Sequence, residues 1–203
     1  MTKIIAFAGR KQSGKSTACE YISEIISSPN NKFTHKIYSF ADPLKQDICM
    51  KILGLTHEQC YGSDDDKNSL THLTWNDKQL TARDVMQIVG TEMFRAMYPN
   101  VWVNALINKI TEDNLDIALI CDCRFPNEVD IVHTHGGYVL RLTKNPFNSD
   151  HPSEKALDKE NYDWSKFDYI IDNQNLDIDT KNKEISNYLF YSRALYHGNT
   201  KHI

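Results

Sequence analysis

Short apolar runs alternate along this chain with longer stretches in which apolar residues recur every three or four positions. The apolar runs predict five strands: Ile4–Ala8, His35–Phe40, Leu115–Cys121, Tyr138–Leu142 and Tyr169–Ile171. The periodic stretches predict helices at Gly14–Ser27, Leu44–Leu53, from Thr81 onward, at Val101–Ile110, in a segment ending near His135, and at Thr180–Tyr196. Strands that alternate with helices in this way indicate an α/β fold, in which helices cover both faces of a parallel sheet.

Two polar stretches interrupt this pattern. Thr56–Lys78 carries the acidic run Asp64–Asp66, and we expect it to be the most mobile part of the chain. Thr143–Asp158 is rich in turn residues and joins the fourth predicted strand to the fifth. Because no long linker separates the predicted elements, residues 1–203 are expected to form one domain with an insertion.

Composition narrows the class of protein. Hydrophobic residues make up 40% of the 203 residues and charged residues 25%, which is typical of an ordinary soluble core. The formal net charge of −4 argues against a broad binding surface for nucleic acid or membrane. No apolar stretch approaches the roughly 20 residues of a membrane helix. A small anionic ligand in a local basic pocket is compatible with these values.

Cysteine usage indicates a reducing environment. The five cysteines are scattered through the chain, and only Cys121 and Cys123 are close together. Strand alternation would put these two thiols on one face without further metal-binding residues nearby. We therefore expect buried thiols in a cytoplasmic protein rather than a disulfide framework or a zinc site.

A glycine-rich loop follows the first predicted strand directly. The sequence "GRKQSGKS", residues 9–16, fits the pattern G-x-x-x-x-G-K-[ST] between a strand and a helix. Its glycines permit backbone angles that let consecutive N–H groups and the positive end of the helix face phosphate oxygens. Lys15 would then reach the β- and γ-phosphates, and Ser16 would place its hydroxyl on Mg²⁺. The loop predicts that the protein binds a nucleoside triphosphate.

Two charged residues follow the most apolar predicted strand. Asp122 and Arg124 would lie at the edge of the sheet where ligands of open parallel sheets bind. A carboxylate at this position can hold magnesium or its waters, and Arg124 would point the same way in extended geometry. The alternative for Arg124 is a surface ion pair with Glu128, four residues later.

Further charged residues lie between these two motifs. Lys45, Arg83 and Arg95 are the basic ones, and Glu92 could share a polar helix face with Arg95. The alternative is that each of these residues lies on a helix face that is exposed to solvent. Neighbouring aspartates offer Arg83 ordinary surface partners, so its assignment to a site is the weakest.

The turn-rich stretch has charged residues of its own. Arg141 and Lys144 precede most of it, and His151 and Glu154 lie within it. Flexible basic segments of this kind can close over phosphates and exclude water. The alternative is that His151 and Glu154 begin a helix and have only a structural role.

Five successive motifs resemble those of phage-type deoxynucleoside monophosphate kinases. They read "GRKQSGKST", "SFADPLK", "TARDVMQIVGTEMFRAMYPNVW", "DCRFPNE" and "DHPSE", and the resemblance runs from about Lys3 to Asn173. It implies a P-loop kinase fold with a helical acceptor-binding insertion at about residues 41–112 and a lid at about 143–160. It also implies transfer of the γ-phosphoryl group of ATP to a deoxynucleoside monophosphate, with small-molecule nucleotides as partners, and it leaves a homodimer open.

The resemblance implies a role for each candidate residue. The ATP phosphates would be held by the loop and helix start, at Ser13, Gly14, Lys15, Ser16 and Thr17, with Asn173 near the base. The acceptor nucleotide would contact Lys11, Lys45, Arg83, Glu92, Arg95 and Arg124. The lid would include Arg141, His151 and Glu154, and Lys144 stands where family lids usually offer an arginine. The catalytic set would be Lys15, Asp122, Arg124 and Lys144, with Mg²⁺ on Ser16 and Asp122.

Two other functions are compatible with the same loop. Dephospho-coenzyme A kinases and phosphomevalonate kinases are more distantly similar, and a GTPase-like switch would share only the loop, because the chain lacks an obvious N-K-x-D motif. An acceptor phosphate is already ionised at neutral pH and needs cations rather than a strong general base. An alcohol acceptor would favour a carboxylate near the loop, a role that Asp42 could fill. The separated basic residues favour the nucleotide kinase.

Overall fold

Five parallel strands form one sheet in the described part of the chain, which comprises residues 2–29, 31–147, 149–192 and 194–195. In this computed structural model the strands are, in chain order, β1 (Lys3–Ala8), β2 (His35–Tyr38), β3 (Leu70–Trp75), β4 (Lys78–Thr81), β5 (Ile117–Cys123), β6 (Tyr138–Leu142) and β7 (Tyr169–Ile171). The parallel sheet has the order β2-β5-β1-β6-β7, and β3 pairs antiparallel with β4. The predicted α/β fold with about five parallel strands is confirmed.

Helices connect most of the strands. They are α1 (Lys15–Ile26), α2 (His57–Tyr61), α3 (Asp64–Asn68), α4 (Ala82–Gln87), α5 (Val101–Asp113), α6 (Pro126–Thr134), α7 (Pro152–Lys155) and α8 (Ile178–Tyr191). Two π-helical segments, Leu44–Met50 and Ile88–Arg95, and a 3₁₀ turn at Trp164–Lys166 complete the helical part. No helix among the described residues is long and apolar enough to cross a membrane.

The chain divides into two compact units. The first contains the parallel sheet and comprises residues 1–39 and 110–203, whereas residues 40–109 form the second. Helix α5 carries the chain from the second unit back into the first. The insertion expected at about 41–112 covers nearly the same residues as the second unit, and its role in binding an acceptor stays a prediction.

The core of the first unit explains why its strands form. Strand alternation directs Ile5 and Phe7 of β1 into one apolar cluster with Ile22 of α1 and Ile185 of α8. Ile4 points the other way and lies with Val132 of α6 against the turn before β6. Because apolar residues are buried on both faces, β1 reads as a continuous apolar run, as a central parallel strand should.

The register of the sheet brings three chain segments to one edge. Ala8, the last residue of β1, pairs with Cys123 of β5 on one side and with Arg141 of β6 on the other. The residues that follow these strands therefore emerge side by side at the carboxyl end of the sheet. This is the edge at which open parallel sheets bind ligands.

The second unit has a separate apolar core built from short elements. Its centre includes Leu55, Val85 and Trp102, and the Trp102 indole donates a hydrogen bond of 2.8 Å to the carbonyl of Gly90. The β3–β4 hairpin turns at Asn76 and Asp77, whose φ angles of 50° and 60° suit a tight hairpin turn.

The polar stretch Thr56–Lys78 has regular secondary structure, and its mobility stays a prediction. This stretch contains α2, α3, β3 and the start of β4. Both helices begin with reciprocal side-chain caps, at Thr56 with Gln59 and at Ser63 with Asp66. The polar composition reflects these caps and a hairpin that buries little apolar surface, rather than disorder.

Some predicted boundaries were also wrong by a few residues. Strand β5 runs to Cys123, so Asp122 lies inside the strand rather than after its end. Helix α8 begins at Ile178 and ends at Tyr191, whereas its predicted end at Tyr196 lies outside the described residues.

Cys123 is buried, and the described residues contain no group of three or more His, Cys, Asp or Glu side chains that could hold a metal ion.

Candidate active site

The glycine-rich loop links β1 to α1 at the carboxyl edge of the sheet. Gly14 directly precedes α1 with a φ of 98°, a left-handed conformation that side chains other than glycine resist. At Gly9 a Cβ atom would overlap the Ser13 hydroxyl and lie 3.1 Å from the carbonyl of Leu142. Gly14 is therefore required by its backbone angle, and Gly9 is required because there is no room for a side chain.

Lys15 lies folded over the loop that carries it. Its Nζ donates hydrogen bonds to the carbonyls of Gly9 at 2.8 Å and Arg10 at 2.6 Å, and only 5% of the residue is exposed. Burial, together with the nearby positive charge of Arg124, lowers the pKa of Lys15 to about 7. An anion bound at the loop would stabilise the charged form and restore the ammonium.

Ser16 and Thr17 form the start of α1. Ser16 is exposed, so its hydroxyl is accessible to a ligand, and the first turn of α1 holds no acidic side chain. The free N–H groups and positive end of a 12-residue helix therefore face the mouth of the loop. This geometry suits a phosphate group.

Asn173 and Lys181 tie the last strand and helix to the loop. The Asn173 amide donates to the Ser13 carbonyl at 2.9 Å and accepts from the Lys144 backbone N–H at 2.9 Å. Lys181 of α8 donates to the carbonyl of Gly14 at 3.2 Å. Both side chains are buried, and burial lowers the pKa of Lys181. Because these contacts use both ends of the Asn173 amide, its assignment to the nucleotide base stays a prediction.

Arg124 and the loop meet at a single carboxylate. The Arg124 guanidinium forms an ion pair with Glu154 of α7, and the other oxygen of Glu154 accepts a 2.6 Å hydrogen bond from the backbone N–H of Lys11. Glu128 accepts instead from the backbone N–H groups of Arg124 and Phe125, at 2.7 and 3.1 Å. The alternative of an Arg124–Glu128 surface ion pair is therefore wrong, because Glu128 is buried and caps α6.

A second carboxylate binds the loop four residues further on. Asp158 accepts from the Arg10 guanidinium at both oxygens, with a distance of 3.0 Å for the Nε bond, and faces Nη2 of Arg141 at 3.8 Å. Arg141 is a buried residue of β6 and stacks against Trp164 and Phe167. It therefore lies in the sheet rather than in the expected lid segment, and it faces that segment at Asp158.

His151 lies in the middle of the expected lid, and Lys144 lies at its start. His151 precedes α7, and its Nδ1 accepts a 3.3 Å hydrogen bond from the backbone N–H of Ser153, so it acts as a helix cap. Lys144 is half-buried just after β6. The described part of the segment omits Asn148, and closure of the segment over phosphates stays a prediction.

Asp122 of β5 is the residue expected to offer an oxygen ligand beside the loop, and that role stays a prediction. Its carboxylate accepts a hydrogen bond of 2.5 Å from the Ser39 hydroxyl. A carboxylate on β5 and the exposed Ser16 hydroxyl are hard oxygen donors, the kind that Mg²⁺ prefers. The donor set therefore fits Mg²⁺.

The remaining predicted residues belong to the second unit. Lys45 lies over the Tyr61 ring at 4.4 Å, and Arg83 donates to Asp64 at 2.7 Å and Asn68 at 2.8 Å. Glu92 is exposed and Arg95 is half-buried. Arg83 is thus engaged by the acidic run that precedes it in sequence, as its surface alternative would have it. Binding of an acceptor by this set stays a prediction.

Three residues that hold the loop carry no signal in the local sequence, namely Arg10, Asp158 and Lys181. Arg10 lies at a variable position of the loop pattern, and its partner Asp158 is 148 residues away. Lys181 reaches Gly14 across 167 residues. No local pattern connects positions so far apart, so only the fold brings them together.

The protein has a phosphate-binding loop between the first strand and the first helix of a parallel sheet. A buried lysine and an arginine lie at the same edge of the sheet. These features define the class of protein. The chain is a nucleotide-binding protein of the P-loop class.

Comparison with known proteins narrows this class. The chain is 32% identical over 173 residues to a protein of Acanthamoeba polyphaga mimivirus whose name assigns it provisionally as a deoxynucleotide monophosphate kinase, covering 76% of this chain and 81% of that protein. It is also 32% identical over 88 residues to the deoxynucleoside-5′-monophosphate kinase of Escherichia phage T5, covering 38% of this chain and 35% of that enzyme. The chain belongs to the deoxynucleotide monophosphate kinase family, which consists of phosphotransferases.

Comparisons with solved structures and with family models give less information about the class of protein than the two relatives do. A sugar kinase from Janibacter sp. HTCC2649 matches 97% of the chain with a TM-score of 0.46 at 11% identity. The protein APE1195 matches 94% with a TM-score of 0.42 at 10% identity. No protein-family model matches the sequence.

Proposed function

We propose that this protein transfers the γ-phosphoryl group of ATP to a deoxynucleoside 5′-monophosphate, giving the diphosphate and ADP for DNA synthesis. The observation that carries the proposal is the meeting of two donors at one anion. The backbone N–H of Lys11 in the loop and the guanidinium of Arg124 both bind the Glu154 carboxylate. A donor from the loop and a donor that follows β5 therefore converge on a single anionic group.

On the donor side, the loop supplies most of the binding groups. Ser13 to Thr17 would offer backbone N–H groups to the ATP phosphates, and Lys15 would turn from its two carbonyl partners to phosphate oxygens. Ser16 and Asp122 would hold Mg²⁺, which neutralises charge on the phosphates when it is bound.

On the acceptor side, the chemistry asks for positive charge. The attacking oxygen belongs to a phosphate that is already ionised, so the main obstacle is bringing two anions into line. Arg124 can span two oxygens of the acceptor phosphate with its planar guanidinium. We assign Lys11, Lys45, Arg83, Glu92 and Arg95 to the acceptor nucleotide together with Arg124, and Lys144 to the catalytic set in place of the arginine of family lids.

Family membership supports a nucleotide acceptor over the two other functions. The mimivirus relative matches residues in both units, because the 76% of the chain that it covers is longer than either unit. A dephospho-coenzyme A or phosphomevalonate kinase would use a different acceptor with the same loop. A switch would hydrolyse ATP or GTP slowly without needing an acceptor.

An acceptor panel tests the proposal. ADP release would be measured with ATP and Mg²⁺ in the presence of each common dNMP and NMP, dephospho-coenzyme A, and phosphomevalonate. We expect at least one dNMP to stimulate ADP release far above the rate without acceptor, whereas the last two compounds should not. Stimulation by dephospho-coenzyme A or phosphomevalonate alone would reject the proposed acceptor. Slow release that no acceptor stimulates would reject the kinase reaction.

A further inference from the structure

Glu154 occupies donors that a phosphate group would need. One carboxylate oxygen accepts from the Lys11 N–H at 2.6 Å, and the other is paired with the Arg124 guanidinium. The side chain of Glu154 is only 10% exposed, so water competes little for these bonds. The carboxylate is thus held as a bound anion would be, by a loop N–H group and an arginine.

A carboxylate and a phosphate cannot share these donors. The Lys11 N–H has one proton to give, and two anions in contact at a partly buried site repel each other strongly. Glu154 therefore has to leave one or both donors before a phosphoryl group is held between the loop and Arg124. Binding of phosphate at this position and the present contacts of Glu154 exclude each other.

A neighbouring contact would keep this segment attached to the loop while Glu154 moves. Asp158 keeps the segment attached to the loop through its two-oxygen ion pair with Arg10, and Leu157 beside it is buried. Glu154 itself lies in α7, a single helical turn of four residues. Helices this short have little stability of their own, so moving this turn disturbs few contacts.

We propose that Glu154 is an internal competitor for phosphate, which nucleotide binding displaces from the Lys11 N–H and from Arg124 while Asp158 stays on Arg10. This inference rests on the proposed function, because it assumes that phosphate groups bind at the loop. The competition lowers the affinity of the protein for ATP by the free energy of the Glu154 contacts. It also keeps Arg124 paired until a nucleotide arrives.

Calorimetry with ATP and Mg²⁺ on the full chain tests the competition. Glu154→Gln removes the charge at nearly constant size, and Glu160→Gln removes the same charge from an exposed neighbour in the same part of the chain. We expect the Glu154 variant to bind ATP about tenfold more tightly than the wild type, and the Glu160 variant to stay within about twofold. An unchanged or weaker affinity of the Glu154 variant would overturn the proposal. So would an equal gain in the Glu160 variant, because it would reflect net charge alone.

Turnover separates competition from positioning. If Glu154 instead orients Arg124 during the reaction, Glu154→Gln should lower kcat by about a hundredfold while leaving ATP affinity unchanged, which would also overturn the proposal. Glu154→Asp, which keeps the charge but shortens its reach, should bind ATP more tightly by a smaller factor and provides a second variant. If ATP binds neither the wild type nor any variant, the proposed function itself fails. If ATP binds all of them equally, only the competition fails.

Discussion

The guanidinium of Arg10 and the carboxylate of Asp158 form a two-pronged ion pair across 148 residues of sequence. Their side chains are 12% and 15% exposed, and Nη2 of the buried Arg141 lies 3.8 Å from the Asp158 Oδ1 that binds the Arg10 Nε. The pair fastens the segment after α7 to the phosphate-binding loop. It also supplies the negative charge that two neighbouring arginines share, and it raises the pKa of Arg10.

Removal of this carboxylate should destabilise the fold. Asp158→Asn leaves Arg10 and the buried Arg141 without their shared counter-charge, so we expect the free energy of unfolding to fall by about 1–3 kcal/mol. Urea denaturation of the purified variant measures the change. Asp47→Asn is the matched control, because Asp47 pairs with Lys51 at an exposed i,i+4 position and should change stability by less than about 0.5 kcal/mol. Equal effects of the two substitutions would contradict a structural role for the Arg10–Asp158 pair.

Lys15 should contribute mainly to turnover. Lys15→Met keeps most of the buried stem but removes the ammonium that would stabilise charge on the transferred group. We expect kcat to fall by about 10²–10³-fold, on the scale of other deletions of a single charge-stabilising donor. Steady-state kinetics with the preferred dNMP measures this loss, with Lys51→Met as the exposed control. A Lys15 variant that keeps near-full turnover would remove the loop lysine from the mechanism.

Lys15 should also make stability depend on pH. Its pKa is about 7 in the folded protein and about 10.4 in an unfolded chain, so between these values the unfolded state binds more protons. The free energy of unfolding contributed by this group therefore rises with pH in that window and is constant below it. Relative to Lys15→Met, the wild type should gain about 1–2 kcal/mol between pH 6.5 and pH 8.5 in urea denaturation. A difference that stays constant or shrinks would show that Lys15 is not held in the buried environment described.

Arg124 should act on the acceptor more than on ATP. Arg124→Ala is expected to raise the KM for the dNMP and lower kcat by about tenfold or more, because its guanidinium can span two acceptor oxygens. The Kd for ATP should stay the same or fall, since the substitution also removes the partner of Glu154. Calorimetry and kinetics on the same preparation separate the two effects. Equal losses in ATP binding and acceptor use would contradict the assignment of Arg124.

Much of the first unit could be predicted because its signals are local. The central strand β1 is apolar on both faces, so the run Ile4–Ala8 identifies it without further information. The loop carries its own pattern within eight residues, and the resemblance to nucleotide kinases rests on motifs of similar length. Short motifs of this kind can be recognised in the sequence without knowledge of the fold.

The second unit was predicted less well, since its elements are short and polar. The helices α2 and α3 have five residues each, and their capping residues, such as Thr56 with Gln59, are the signal that could have identified them. The β3–β4 hairpin turns at Asn76-Asp77, a pair less diagnostic than Asn-Gly.

Long-range ion pairs could not be predicted at all. The contacts that Glu154 and Asp158 make with the loop join residues more than 140 positions apart. Only the parallel register, which places the end of β6 beside the end of β1, makes these contacts possible. They are nevertheless the contacts that distinguish this loop from a generic one.

Transfer of a phosphoryl group from ATP to a deoxynucleoside monophosphate can be followed with a radioactive label. The protein would be incubated with γ-³²P-labelled ATP, Mg²⁺ and each dNMP, and the nucleotides would then be separated by chromatography. We predict that label appears in the diphosphate of at least one deoxynucleotide, and that Lys15→Met slows this transfer by about 10²–10³-fold. Label that appears only as inorganic phosphate, or that stays in ATP with every dNMP, would contradict the account.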